Sequence, residues 1–149
     1  MEFKDIDVAS RRENSPRLLK SALTLAAVLN VSDEDLTKIL GVSFTQYQAY
    51  VLCFENGKPF VMSAEQLWRS LALKRIWSVM ESTFADVETA RHWWGGVSKG
   101  PVGRGRSPLK WCQSDGEDLS AYLDRLEDWA SSPMRQGRIK RLAPSSSIL

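Results

Sequence analysis

Histidine, cysteine, strand patterns and long apolar runs are all scarce in this chain, and each scarcity closes off a class of chemistry. His92 is the single histidine, so no histidine pair exists to build a metal site or a base-and-acid couple. A histidine beside Trp93 and Trp94 at the end of a short helix reads more naturally as a packing or capping group than as a base. Cys53 and Cys112 stand far apart, which excludes a disulfide framework and a CxxC metal half-site. The apolar stretch Ala22 to Leu29 is too short to span a bilayer. The first fifteen residues, MEFKDIDVASRRENS, lack the apolar segment of a signal peptide, so the expectation is a cytoplasmic, reduced protein with no membrane partner. No G-K-[ST] follows the glycine-rich stretch at 95–106, so it is not a P-loop, and no strand precedes it, so it is not a dinucleotide fingerprint. An enzyme is not expected, nor a cofactor or a metal.

What is present is ordinary in bulk and ordered in detail. The 149 residues are 43% hydrophobic and 26% charged, with 20 basic and 18 acidic side chains and a formal charge of +2. That composition excludes a disordered or fibrous chain, and the length allows one domain or two small ones. The charges come in blocks. Arg91 to Lys110 holds five bases and no acid, Asp115 to Asp128 holds six acids and the single base Arg125, and Arg135 to Arg141 holds four bases. Such blocks are either solvated faces or surfaces for a partner of opposite charge.

Helix signals run through the rest. Residues 1–15 are polar and read as a flexible leader. Pro16 suits a first helical turn, and Leu18, Leu19, Ala22, Leu25, Ala26 and Leu29 follow at helical spacing. Ser32 caps a helix through Leu36 and Ile39 that Gly41 ends, and Ser43 caps the next, Phe44 to about Phe54. Ser63 with Gln66 forms a capping box for a long helix from Ala64 to Phe84, with an apolar stripe of Leu67, Leu71, Leu73, Ile76, Trp77, Met80 and Phe84. Asp86 caps a short helix ending at Trp93-Trp94. Ser107-Pro108 opens one or two turns to Cys112, and a final amphipathic helix runs from about Glu117 to Ala130.

The segment Ser32 to Phe54 has the layout of a helix-turn-helix. Leu36, Leu40 and Val42 would pack, while Thr45, Gln46 and Gln48 would face outward near the start of a recognition helix, where glutamine can pair with adenine. Ser43 and Lys58 flank that helix and complete the candidate DNA-binding set. Gly41 to Glu55 contains no lysine or arginine, so phosphate contacts would come from residues such as Lys58, Lys38 or Arg17. An ordinary helical hairpin within a bundle has the same local pattern.

The order of these signals resembles the Xre/MbcA/ParS antitoxin family. Four segments carry the resemblance: D-L-T-K-I-L-G-V-S (Asp35 to Ser43), A-D-V-E-T-A-R-H-W-W (Ala85 to Trp94), V-G-R-G-R-S-P-L-K-W (Val102 to Trp111), and the helix through Leu119, Tyr122, Leu123 and Leu126. They cover about residues 20 to 130. The chain departs from the family pattern at Trp94, where leucine is usual, and in the Val102–Pro108 stretch, which is one residue longer. It departs also in the absence of bases from the recognition helix, in the ending of the final helix and in an added basic tail.

The resemblance implies an all-α protein: an N-terminal helix-turn-helix bundle joined by a long helix to a small helical toxin-binding domain. The corresponding boundaries are a leader at 1–15, an Xre-like domain at 16–62, a linking helix at 63–84, a toxin-binding domain at 85–133 and a basic, mobile tail at 134–149. The implied function is the antitoxin of a type II toxin-antitoxin system. Its partner would be a toxin that degrades NAD or transfers ADP-ribose from it, covered at its active site by a homodimeric antitoxin that can also bind operator DNA. The contact residues implied are Trp94, Lys99, Arg104, Arg106, Pro108 and Trp111, because arginine and tryptophan are enriched at binding hot spots. Trp77 and Trp129 read as core, while Trp94 and Trp111 read equally as core or contact. The alternative function is a stand-alone helix-turn-helix regulator whose C-terminal domain only dimerises.

Overall fold

A computed structural model describes residues 7–132, and these are all-helical, with seven α-helices and no strand among them. The helices are α1 (Val8–Leu29), α2 (Asp33–Leu40), α3 (Phe44–Glu55), α4 (Ala64–Thr83), α5 (Val87–Gly95), α6 (Pro108–Cys112) and α7 (Gly116–Ser131). The chain divides into two compact units after Lys74, inside α4. The helix expected as a linker therefore gives its first half to one unit and its second half to the other. The tail at 134–149 lies outside the described residues.

In the first unit, α1 begins eight residues before the expected start. Asp7 caps it by accepting from the Ser10 N–H at 2.7 Å, so Val8 to Ser15 are helical and not part of a loose leader. Pro16 lies inside the helix. Beside it, the fully buried Ser15 hydroxyl donates to the Arg11 carbonyl and accepts from the Met62 N–H at 2.8 Å. That accepted bond ties α1 to the segment entering α4. Asn30 closes α1 in the left-handed region, with its N–H and that of Val31 returning to the last turn.

The caps on α2, α3 and α4 follow from local chemistry. Ser32 and Ser43 each accept from the N–H three residues on, at 3.1 Å. Gly41 ends α2 at φ +71, and an added Cβ there would lie 3.3 Å from Arg69 Cδ. Both the backbone and the close approach therefore call for glycine. The capping box forms in full, with Ser63 Oγ accepting from the Gln66 N–H and Gln66 Oε1 accepting from the Ser63 N–H. The apolar core of this unit includes Leu19, Ala22, Leu29, Leu36, Ile39, Leu40 and Met62.

In the second unit, Asp86, Ser107 and Asp115 cap α5, α6 and α7 by the same three-residue bond. α6 packs against both α5 and α7. Ile76, Met80, Cys112, Leu119, Tyr122, Leu123 and Leu126 are buried almost completely. Arg75 on α4 grips Glu127 on α7 with two N–H groups, a fork-to-carboxylate pairing. The apolar stripe of α4 is narrower than its sequence implies, because Leu71 is exposed and Trp77 and Phe84 are half-buried.

Ile76 has no exposed surface, so Ile76→Ala removes buried methylene groups and leaves a cavity. The expected loss is about 2–5 kcal/mol in denaturant unfolding, whereas Leu71→Ala, at an exposed position of the same helix, should cost well under about 1 kcal/mol.

Candidate functional site

In the first unit, the residues expected to meet DNA share the N-terminal part of α3 but not one role. The Ser43 hydroxyl is used as the helix cap. Thr45, Gln48 and Lys58 are exposed. Gln46 is exposed as a residue, yet its Oε1 accepts from Gln66 Nε2 at 3.0 Å. Gln66 is buried and joins α4 to α3: it also accepts from the Tyr50 hydroxyl at 2.9 Å and from the Ser63 N–H. Gln46 is thus partly held by the scaffold. Apolar side chains of α3 also meet water, with Phe44 53% and Leu52 61% exposed.

Tyr47 is the one buried residue of α3, and its hydroxyl donates to Asp33 Oδ1 at 2.9 Å. That bond fastens α3 to the first turn of α2. Burial first, then the hydrogen bond to Asp33 and its charge, push the phenol from 10.0 up to about 12.

In the second unit, the glycine-rich stretch between α5 and α6 is irregular but well braced. Ser98 and Arg106 form an isolated antiparallel bridge, and the Gly105 N–H donates to the Ser98 carbonyl at 2.7 Å. Arg104 and Gly105 both occupy positive φ, at +49 and +85. Three consecutive carbonyls then receive three side chains. Pro101 O accepts from Arg104 Nε at 3.2 Å, Val102 O from Arg125 Nε at 3.2 Å, and Gly103 O from Trp111 Nε1 at 2.8 Å. The Trp111 ring stacks on Tyr122 with centroids 5.4 Å apart and planes 7° from parallel. The Arg106 and Arg125 guanidinium carbons lie 4.6 Å and 4.9 Å from the Trp111 centroid. Such cation–π placement fixes the charged groups over a buried aromatic base.

Among the expected contact residues, Lys99, Arg104 and Arg106 are exposed. Trp94, Pro108 and Trp111 are buried, so they support the loop from beneath and do not form its outer surface. Trp77 and Trp129, read as core, are only half-buried; Trp94 and Trp111, read equally as core or contact, are buried, as are Trp68 and Trp93. A tryptophan at a helix end carries no local sign of which neighbour will cover it.

Arg125 was not singled out from the sequence, yet it joins the same cluster. Burial first, and then the charge of Arg104, lower its pKa, while Tyr122 and Asp118 act the other way. Its Nη2 is buried and has no hydrogen-bond partner among the described residues. The signal available was its position as the one base in an acidic helix.

Among the described residues no group of three His, Cys, Asp or Glu side chains is placed to hold a metal, and no helix is long and apolar enough to cross a membrane. His92 is exposed and Cys112 is buried. A shallow apolar cleft lies beside the end of α4, lined by Trp77, Met80, Phe84, Val87 and Ala90 and edged by Glu81 and Asp86. No protein-family description, curated protein or solved structure matches the chain.

The Tyr47–Asp33 bond has a pH signature. A phenol whose folded pKa is raised contributes stability that is complete below pH 10.0 and lost as pH climbs through about 12. Urea midpoints of the wild type should therefore fall more steeply across that range than those of Tyr47→Phe. At neutral pH the substitution should cost about 1 kcal/mol, the net worth of one such bond.

Proposed function

We propose that the protein is an antitoxin that neutralises an NAD-degrading or ADP-ribosylating toxin by covering its active site, with no catalysis of its own. The observation that carries this reading is the exposed Arg104–Arg106 pair. It stands on a braced loop, with Arg106 over a buried tryptophan, and has no carboxylate partner among the described residues. An arginine held over an aromatic base loses little side-chain freedom on binding, which favours it as an interface anchor. The family resemblance of segments 35–43, 85–94, 102–111 and the α7 helix supplies the identity of the partner. The exposed acids of α7 complement a toxin pocket built to receive a pyrophosphate. The protein would act in the cytoplasm, where NAD is available to such a toxin.

Operator binding is the secondary role. It draws on α2 and α3 as a helix-turn-helix, with Thr45 and Gln48 as base contacts and Lys58 as a phosphate contact. The exposed Phe44 and Leu52 fit a protein contact better than a phosphate backbone, and they favour a homodimer through this unit.

The test is toxin NAD consumption at rising antitoxin concentration. Arg104→Ala with Arg106→Ala should weaken neutralisation while leaving the fold intact, since both side chains are exposed. A buried charged contact would cost about 2–5 kcal/mol of affinity, and a rim contact would chiefly slow association. Unchanged inhibition by the double variant overturns this contact surface. For DNA, Gln48→Ala should lower operator affinity and spare non-specific binding, with a shallow salt dependence because α3 carries no base. Equal loss on random DNA would exclude base readout.

A further inference from the structure

Two arginines rest on the Trp111 base, a third bonds the loop beside them, and none of the three forms an ion pair among the described residues. Arg104 and Arg106 come from the loop and Arg125 from α7. The ion pairs among the described residues lie elsewhere: Lys38–Glu34, Arg69–Glu65, Arg75–Glu127 and Arg91–Glu88. The α7 carboxylate Glu127 is thus engaged by Arg75, and Asp118 acts on Arg125 only through its field. Like charges held together without a counter-ion oppose one another, as Arg104 and Arg125 do.

The hydrogen-bond pattern leaves the terminal nitrogens of the exposed Arg104 and Arg106 available. The Nε atoms of Arg104 and Arg125 are committed to the Pro101 and Val102 carbonyls, which anchors each guanidinium by its inner edge. Arg125 Nη2 has no acceptor among the described residues and is sealed from solvent, so direct contact with a ligand falls first to the exposed Arg104 and Arg106. A native structure leaves few buried donors unsatisfied, and a charged one is the most costly to leave so.

We propose that Arg104, Arg106 and Arg125 form a binding site for a dianionic tetrahedral oxyanion, and that its ligand is the phosphoryl group of a small phosphomonoester. Charge favours an anion of more than one charge, because none of the three guanidinium groups forms an ion pair among the described residues. A single carboxylate would neutralise only one of them. Guanidinium forks bind phosphate oxygens through paired N–H groups, which an ammonium does not. Stacking on Trp111 fixes two of the three forks before the ligand arrives. Arg104 and Arg106 are exposed, so the site is open to solvent and the remainder of an ester can extend outward. The inference goes beyond the antitoxin reading and does not depend on it, because it concerns the protein alone.

The test is a titration of the full chain with sodium phosphate at constant ionic strength, followed at the indole N–H of Trp111 and the Nε–H of Arg125 by nuclear magnetic resonance. Saturable shifts of both signals are expected, with sulfate competing and acetate binding more weakly. Arg106→Gln should weaken phosphate binding about tenfold, the scale of one charge-assisted contact. Arg125→Lys, which keeps the charge but loses the fork, should weaken it as well. Arg91→Gln, which removes a base paired with Glu88 on α5, should leave it unchanged. Non-saturating shifts, or equal weakening by Arg91→Gln, overturn the site. Adenosine 5′-monophosphate should bind at least as tightly as phosphate. If phosphate binds and the ester does not, the phosphomonoester assignment fails and free phosphate is the ligand. Toxin neutralisation, measured separately, leaves these outcomes unaffected.

Discussion

A buried indole N–H is costly to leave without an acceptor, and in the second unit the Gly103 carbonyl accepts from that of Trp111. The irregular loop depends on that bond. It holds the backbone at the turn where Arg104 and Gly105 adopt positive φ, and it sets the ring against Tyr122 in a near-parallel stack. The arginines then rest on a surface whose position is already fixed. Trp93 and Trp94 differ: their indole nitrogens are buried with no hydrogen-bond partner, so their placement rests on apolar burial, and Trp93 adds a tilted contact with Phe84. One tryptophan therefore positions the loop through polar geometry, and its neighbours supply bulk.

The helix caps were legible in the sequence because capping is decided within four residues. Ser32, Ser43, the Ser63–Gln66 box, Asp86 and Ser107 all act where their spacing placed them. The start of α1 was not legible. Pro16 looked like a first-turn proline, but Asp7 supplies a cap earlier, and Ser15 finds its partner at Met62, far along the chain. The all-α class followed from patterns of this local kind. Leu71 shows their limit, since it continues an apolar stripe yet is exposed.

The candidate site was half legible. Glycine and arginine in one irregular stretch marked Arg104 and Arg106, and the structure leaves both exposed. Burial of Trp94, Pro108 and Trp111 is a tertiary outcome that no short window encodes. Arg125 joins the cluster only because α7 packs beside the loop carbonyls, so its role was hidden inside an acidic run. In the first unit, Gln46 looked like a free reader of bases, yet Gln66 reaches it from α4. Both surprises have one origin: a long polar side chain, silent in a local pattern, finds its partner from a distant helix.

Arg104 at φ +49 bears on how this sequence can drift. A residue with a Cβ in that region carries a strain of about 1 kcal/mol, which glycine would relieve and asparagine would lessen. Selection for stability alone would therefore move the position away from arginine. A library of loop variants ranked only by resistance to heat should lose the guanidinium first at this residue, while one ranked by binding should keep it. The strained position is thus a place where persistence and usefulness pull the sequence in opposite directions.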